Sequence, residues 1–364
     1  MDGVVSDCKT AGTARFTRNG CGRMAGADIA LDLGTSYVKI YLEGKGIVLS
    51  EPSVVSVNLE DDEAVAIGTE AYAMLGRTSD KIQVCHPLSG GVISQFDVAK
   101  YLIETYLKRV NVSRVIMPRV VVSVPCNITE VEERAVVDSI SSTGARKVCL
   151  IDEPVAAALG AGLDISKPHG SLVVDIGGGT TDMAVISLYG IAISRSVRIA
   201  GDVFDDAVAK YIRRKYGLLI GPRMAEECKI TIGCVFPRKD ILTFRVKGRN
   251  AMTGLPQWAD VTSDEMLEAL IESAMKIVRE IQDVLEKTPP ELMGDIDTDG
   301  IVLTGGSSQI YGFDQLIAKK TKLTVHVADD PQNCVARGAG KAVPFIDCME
   351  GSGNEKLNPL RVAY

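Results

Sequence analysis

One short pattern occurs twice in this chain of 364 residues and limits its possible folds more than any other feature. In the first copy an apolar run ends at Asp32, a turn through Gly34 follows, and a second apolar run begins. The second copy has the same order around Asp175, with its turn at residues 177–179. Glycine lets backbone N–H groups approach an anion closely, and a carboxylate at a strand end suits a hydrated cation. The repeat therefore predicts two related halves that hold a magnesium–nucleotide between them.

Composition and charge exclude several other classes of protein. The chain is 46% hydrophobic and 24% charged, as globular proteins are, and it is long enough for two domains with separate cores. A net charge of −7 argues against a nucleic-acid partner, which would need a basic surface. No apolar run reaches the length of about 18 residues that a membrane span needs. The nine cysteines include no C-x-x-C pair, so neither a zinc site nor a disulfide framework is predicted.

Strand and helix patterns alternate along the chain, which predicts α/β layers. Residues 119–125 carry a near-continuous run of valines, as expected of a strand that is buried on both faces. Thr129 opens a helix through a capping box with the glutamate three residues later. Asp97 and Ser263 are the predicted N-caps of two further helices.

Four motifs, taken in order along the chain, carry a resemblance to a known superfamily. They are residues 32–35 (DLGT), 152–158 (DEPVAAA), 175–181 (DIGGGTT) and 303–306 (LTGG). Their order resembles that of the nucleotide motifs in the superfamily of actin, the sugar kinases and the heat-shock chaperones. Within this superfamily the chain is most similar to the MreB family, the rod-shape-determining actin homologues of bacteria. The resemblance extends from about residue 28 to about residue 346, which is nearly the whole chain.

The resemblance implies an α/β, actin-like fold. Two related ribonuclease-H-like domains would hold nucleotide in the cleft between them, and each domain would carry a small inserted subdomain. Residues 1–25 have neither the apolar core of a signal peptide nor an apolar helical stripe, so we expect either a disordered N-terminal extension there or an upstream start ahead of Met24. The implied subdomains are IA (residues 26–57, 88–167 and 341–358), IB (58–87), IIA (168–203 and 262–340) and IIB (204–261).

The same resemblance implies a role for each residue of a nucleotide site. Asp32 and Asp175 would hold Mg²⁺ through its water molecules, and Glu153 would orient the attacking water with Thr180 as its catalytic partner. The residues implied to contact the phosphates are Gly34, Thr35, Ser36, Tyr37, Gly177, Gly178, Gly179 and Thr180. Those implied to hold the ribose and the adenine are Glu226, Lys229, Gly305, Gly306 and Ser307.

Three of these residues also have a purely structural interpretation. Glu153 fits the N-cap of a helix whose first residue is Pro154. Glu226 and Lys229 lie three residues apart on one helix face, where a solvated ion pair is the common arrangement.

Four residues depart from the pattern of the family. Tyr37 stands near the first turn, where many relatives have Asn or Thr, and Ser307 replaces a third glycine. Asp152 and Asp182 replace the more common glutamates. We expect Tyr37 to alter the phosphate contacts and Ser307 to alter how the base is held. None of the four changes removes a magnesium ligand or the catalytic glutamate.

The function implied by the resemblance is that of an ATPase, with ATP or ADP and Mg²⁺ in the cleft, that polymerises into cytoplasmic filaments. Its partners would be further copies of itself in antiparallel paired protofilaments, the inner face of the plasma membrane and the cell-wall elongation machinery. A sugar or acetate kinase of the same superfamily is the alternative, and the compact size of the two inserted segments argues against it. A chaperone would need a substrate domain after the ATPase, yet few residues follow residue 343.

Two apolar sites outside the cleft complete these expectations. The helix that begins at Thr129 matches the one that meets its counterpart across paired filaments, so Val131 is either a lateral contact or part of the core. Val115, Ile116 and Met117 occupy a short connection, where consecutive apolar residues are unusual. They form either a membrane-touching loop or the buried start of the next strand.

Overall fold

The computed structural model describes residues 28–110 and 118–348. The extension expected at residues 1–25 and the apolar segment of Val115, Ile116 and Met117 lie outside the described residues. Within the described ranges, no helix combines the length and the apolar character that crossing a membrane requires.

Strands and helices alternate along the described chain. The strands are β1 (Ile29–Leu33), β2 (Tyr37–Leu42), β3 (Gly46–Pro52), β4 (Val55–Asn58), β5 (Ala64–Ile67), β6 (Ile82–Cys85), β7 (Leu88–Ser89), β8 (Val92–Ile93), β9 (Arg119–Val124), β10 (Lys147–Asp152), β11 (Ser171–Ile176), β12 (Thr181–Ser187), β13 (Gly190–Val197), β14 (Leu218–Leu219), β15 (Thr243–Asn250), β16 (Pro256–Thr262), β17 (Ile301–Thr304) and β18 (Val325–Val327). The α-helices are α1 (Thr69–Met74), α2 (Phe96–Arg109), α3 (Glu130–Ser141), α4 (Glu153–Ala161), α5 (Gly201–Tyr216), α6 (Pro222–Ile232), α7 (Ser263–Lys287), α8 (Pro290–Asp299), α9 (Phe313–Thr321) and α10 (Cys334–Ala342).

Two five-stranded sheets share one topology. Their strand orders are β10-β9-β1-β2-β3 and β13-β12-β11-β17-β18. In each sheet three antiparallel strands come first along the chain, and two parallel strands are then added beside the first of them. The repeated sequence pattern forms the first hairpin of each sheet, with Asp32 opposite Lys39 and Asp175 opposite Asp182. The prediction of two related α/β halves is confirmed.

The structure confirms some of the helix and strand ends predicted from local sequence and corrects two predicted N-caps. Strand β9 is buried along its whole length, and Thr129 caps α3 through the predicted capping box. The N-cap predicted at Asp97 is wrong, because Gln95 caps α2 and Asp97 lies in the first turn, where its charge complements the helix dipole. The N-cap predicted at Ser263 is wrong by one residue, since Thr262 makes a full capping box at the start of α7.

A three-stranded sheet accompanies each half. The order β5-β4-β6 lies between β3 and β7 in the chain, and β14-β15-β16 lies between α5 and α7. These sheets occupy the two segments expected to be insertions. The expected boundary between residues 57 and 58 falls inside β4, and that between residues 203 and 204 falls inside α5. The remaining subdomain limits stay a prediction.

A pair of helices joins the two halves. Buried side chains form one cluster in each half and a third cluster that takes Ala30 from the first sheet, Val173 from the second, and residues of α4 and α10. Gly160 of α4 and Gly338 of α10 lie where these helices cross. A Cβ on either glycine would overlap a backbone atom of the other helix, so the two backbones are in direct contact.

Candidate functional site

A cavity of about 1070 Å³ lies between the two halves. The turns after β1 and β11 line it from opposite sides, and α4, α6 and the turn after β17 contribute the rest of the predicted residues. Every residue that the sequence analysis placed around nucleotide or magnesium lines this one cavity: Asp32, Gly34, Thr35, Ser36, Tyr37, Glu153, Asp175, Gly177, Gly178, Gly179, Thr180, Glu226, Lys229, Gly305, Gly306 and Ser307.

The turn after β1 and the turn after β11, predicted to contact phosphates and called the phosphate-type turns below, are in direct contact with each other at the cavity. A Cβ added to Gly178 would overlap the Ser36 hydroxyl, and one added to Gly179 would overlap the Thr35 hydroxyl. The Thr35 hydroxyl in turn accepts a hydrogen bond from the Gly91 N–H at 2.9 Å. The glycines are therefore required by the close approach of the opposite turn, and groups from both halves can reach the same bound anion.

The two aspartates of the repeat are buried in the floor of the cavity. Burial raises the pKa of Asp175 to about 7, although the Thr304 hydroxyl, which donates to its Oδ1 at 2.6 Å, opposes the shift. Burial also raises the pKa of Asp32, and the nearby Lys39 ammonium opposes that shift. Buried carboxylates with raised pKa values lack full compensation for their charge, so this pair favours a cation between them.

The chemistry of this donor set fits Mg²⁺ held through its water molecules. Among the described residues, no group of three or more His, Cys, Asp or Glu side chains is arranged to hold a metal ion directly. Magnesium dehydrates reluctantly and is commonly bound by one or two carboxylates together with substrate phosphates. Asp32 and Asp175 are also close enough for the charge of Asp32 to raise the pKa of Asp175.

Glu153 is the first residue of α4 and is buried at the cavity wall. The residue at the N-cap is Asp152, so the interpretation of Glu153 as the cap is wrong. Burial, reinforced by the neighbouring carboxylate of Asp182, raises the pKa of Glu153 well above its ordinary value. Asp182 is itself buried, accepts a hydrogen bond from the Cys126 N–H at 2.9 Å, and has its pKa raised by burial to about 6. Helix α4 thus holds a carboxyl group rigidly against the cavity.

Glu226 and Lys229 line the cavity from two adjacent turns of α6. Lys229 is buried, forms an ion pair with Asp205 at 2.9 Å, and donates to the Gly201 carbonyl at 3.2 Å. Glu226 accepts a hydrogen bond from the Tyr72 hydroxyl of α1, which belongs to the other half. The alternative of a solvated Glu226–Lys229 ion pair is therefore wrong, because each side chain is engaged elsewhere.

Ser307, one of the departures from the family pattern, has a clear structural role. It lies in a short 3₁₀-helix (Gly306–Gln309), and its hydroxyl donates to the Gly177 carbonyl at 2.7 Å. Gly305 before it has φ +83°, and a Cβ there would overlap the Ile176 carbonyl. The serine therefore ties the turn after β17 to the phosphate-type turn after β11.

Sequence reasoning missed several residues that also line the cavity. Lys39 could have been found from the sequence, because it is a charged residue in an otherwise apolar strand, and the structure places it directly opposite Asp32. Arg238 stacks on the Tyr311 ring, with its guanidinium carbon 4.0 Å from the ring centroid. Gln332 lines the cavity from the short 3₁₀-helix (Pro331–Asn333) before α10. Arg238, Tyr311 and Gln332 come from separate segments of the chain, and no local sequence pattern indicates that they meet at one cavity.

Val131 lies outside the cavity, in the first turn of α3. Its side chain is 78% exposed, so the alternative that it belongs to the core is wrong. The neighbouring Glu130 and Arg134 are exposed as well. A role for Val131 as a lateral filament contact stays a prediction.

Comparison with known proteins identifies the family. The model of the MreB/Mbl protein family matches residues 26–350. The chain belongs to the MreB/Mbl family. It is 46% identical over 330 residues to the cell shape-determining protein MreB of Escherichia coli (strain K12), covering 89% of this chain and 95% of that protein. It is 44% identical over 336 residues to the cell shape-determining protein Mbl of Bacillus subtilis (strain 168), covering 92% of this chain and all of that protein (100%).

Solved structures of an MreB/Mbl relative agree in fold. MreB5 of Spiroplasma citri bound to AMPPNP superposes with a TM-score of 0.86 at 36% identity, covering 89% of this chain and 98% of that one. The same protein bound to ADP gives a TM-score of 0.85 at 37% identity, covering 88% and 97%. The predicted actin-like fold is confirmed.

Proposed function

We propose that this MreB/Mbl family member is an actin-like cytoskeletal protein that binds and hydrolyses ATP with Mg²⁺ in its central cavity and assembles into filaments that maintain cell shape. The observation that carries the proposal is the single cavity lined from both halves by the two Asp–Gly turns, Glu153 and α6. A ligand held there touches both halves, so its chemical state can bias the angle between them. The ADP-bound and AMPPNP-bound structures of MreB5 support a nucleotide as that ligand.

Each predicted residue has a place in this proposal. Asp32 and Asp175 hold hydrated Mg²⁺, which neutralises charge on the phosphates when it is bound. The turns after β1 and β11 contact the phosphates, while Glu226, Lys229 and the turn after β17 hold the ribose and base. Glu153 orients water for attack, with Thr180 beside it at the turn after β11. Phosphoryl transfer needs mainly such positioning and charge neutralisation.

A filament-forming role fits the chain better than the kinase alternative. MreB of Escherichia coli and Mbl of Bacillus subtilis, which are 46% and 44% identical over about nine-tenths of this chain, are cell shape-determining proteins. The two inserted sheets have three strands each, which is small beside the five-stranded sheets that carry them. We further propose cytoplasmic filaments, paired side by side at the inner face of the plasma membrane, that organise the cell-wall elongation machinery.

Sedimentation with nucleotide tests this function. Wild-type protein with Mg-ATP is expected to form polymer that pellets in the ultracentrifuge. Asp175→Asn removes a charge without changing size and is expected to stay in the supernatant at limiting magnesium, while Asp297→Asn on the exposed face of α8 serves as the control. ATP turnover that needs an added sugar or acetate, without any polymer, would contradict the proposal and favour a kinase.

Lateral pairing leads to a prediction about Val131. Val131→Glu is expected to reduce paired filaments in electron micrographs while leaving ATP binding unchanged, because the new charge stands on an exposed face of α3 and Val131 does not line the cavity. Val65→Glu, at an exposed position on β5, is the control for an added surface charge. Normal pairing in the Val131 variant would show that this face of α3 is not the contact.

Membrane attachment leads to a prediction about residues outside the described ranges. The double variant Ile116→Ser, Met117→Ser is expected to lose co-pelleting with anionic liposomes while still polymerising. Each large apolar side chain buried in a bilayer contributes about 1.5–3 kcal/mol, and contacts repeated along a filament reinforce one another. Equal co-pelleting of the variant and the wild type would remove this segment from the membrane contact.

A further inference from the structure

Lys39 occupies an unusual position for a lysine. It lies in the apolar strand β2, between the buried residues Val38 and Ile40, and its side chain is only 12% exposed. Opposite residues of an antiparallel pair share a face, and the residue opposite Lys39 is Asp32. The Lys39 ammonium lies 3.6 Å from Asp32 Oδ2 and donates to the Gln332 carbonyl. Burying an ammonium costs free energy, so its position at the cavity floor needs a reason beyond packing.

The second half of the molecule has no equivalent of this cation. In the second half the residue opposite Asp175 is Asp182, which is an acid. In the first half the residue opposite Asp32 is Lys39. Lys39 and both aspartates line the same cavity, and the Lys39 ammonium is in contact with Asp32. Lys39 therefore lies beside the place where the two aspartates would hold magnesium and the phosphate tail would enter.

Two other cationic side chains line the cavity within the described residues, but Lys39 is the one whose ammonium pairs with an aspartate of the repeat. Lys229 is paired with Asp205 and donates to the Gly201 carbonyl. Arg238 is stacked on Tyr311. An ammonium has three donors, and the contacts of Lys39 with Asp32 and Gln332 leave capacity for a further acceptor.

We propose that Lys39 is a phosphate-binding residue of this cavity. In the absence of nucleotide its ammonium neutralises Asp32. When a nucleoside diphosphate or triphosphate binds, the ammonium contacts the phosphate tail, and Asp32 would be left to hold hydrated magnesium. This inference rests on the proposed nucleotide function and adds a charged contact to the backbone N–H groups and hydroxyls of the two turns.

Equilibrium binding of ATP, ADP and adenosine to purified Lys39→Met tests the inference. Methionine keeps the length and apolar stem of lysine but has no charge, so ATP and ADP are expected to bind about 10- to 100-fold more weakly, as for loss of a hydrogen bond to a charged group. Adenosine has no phosphate and is expected to bind with unchanged affinity. The loss for ADP is expected to be larger in EDTA, because magnesium then no longer shares the neutralisation of the phosphates with Lys39.

Two further variants serve as matched controls. Lys45→Met replaces an exposed lysine in the turn between β2 and β3 and is expected to bind all three ligands like the wild type. Lys39→Arg keeps the charge and is expected to recover most of the affinity for ADP. Where Lys39→Met fails to fold, Lys39→Gln replaces it, because its amide keeps a donor for the Gln332 carbonyl.

The outcomes separate this inference from the function on which it rests. Wild-type affinity for ADP in Lys39→Met, both with and without magnesium, would overturn the role of Lys39 alone. An equal loss for ADP and adenosine would also overturn it, since that pattern indicates a purely structural ion pair. Failure of the wild type to bind any nucleotide would overturn the proposed function together with this inference.

Discussion

Replacing Glu153 by glutamine is expected to slow ATP hydrolysis about 100-fold or more while ATP binding is retained. Glutamine has nearly the same shape but cannot orient water as a carboxylate does or accept its proton. The substitution leaves both phosphate-type turns untouched, and it removes a carboxyl group whose pKa is raised by burial and by Asp182, so the fold should tolerate it. Single-turnover hydrolysis of bound ATP, followed alongside ATP affinity, measures the effect.

The chain offers a close control for this substitution. Glu130 is the first residue of α3, just as Glu153 is the first residue of α4, but Glu130 is exposed and lies outside the cavity. Glu130→Gln is therefore expected to hydrolyse ATP at the wild-type rate. An unchanged single-turnover rate in Glu153→Gln would contradict the catalytic role and leave Glu153 as a buried residue at the start of a helix.

Replacing Gly338 by alanine is expected to lower the free energy of unfolding by about 3 kcal/mol or more. The new Cβ would overlap the Ala156 carbonyl, so α4 and α10 would have to move apart at the contact that joins the two halves. Urea unfolding measures the loss, and ATP binding is expected to weaken with it, because the cavity lies between the same two halves.

The same substitution at another helical glycine is expected to have the opposite sign. Gly294 lies in α8 on the exposed surface, and a Cβ there meets nothing within 4 Å. Gly294→Ala should therefore raise the free energy of unfolding by up to about 1 kcal/mol through helix propensity. A similar small gain in Gly338→Ala would show that the two helices do not depend on their close contact.

Much of the cavity could be predicted because its residues follow strand ends, and strand ends in this topology meet in one place. Asp32, Asp175 and the glycines after them carry this signal in their immediate neighbours. The fold class follows for the same reason, since the repeated hairpin pattern marks equivalent positions in two sheets.

The parts that could not be predicted depend on contacts between distant segments. Tyr72 and Glu226 are 154 residues apart in the sequence, and no local pattern predicts the hydrogen bond between them. The ion pair between Lys229 and Asp205 was missed because a nearer acid, Glu226, lies on the same helix face. At the N-terminus of α7 two adjacent hydroxyl residues compete for the cap, and only the spacing to Glu265 decides between them.

The direct backbone contact between α4 and α10 restricts how the two halves can move. At Gly160 and Gly338 the two backbones leave room only for the hydrogen atom of a glycine. Sliding one helix along the other would move a larger side chain into this contact. Rotation about the crossing point keeps that contact, so it is the motion that costs least. The crossing then acts as a fixed pivot, and displacement grows with distance from it. A small rotation would shift the outer sheets β5-β4-β6 and β14-β15-β16 much further than it shifts the central sheets beside the pivot.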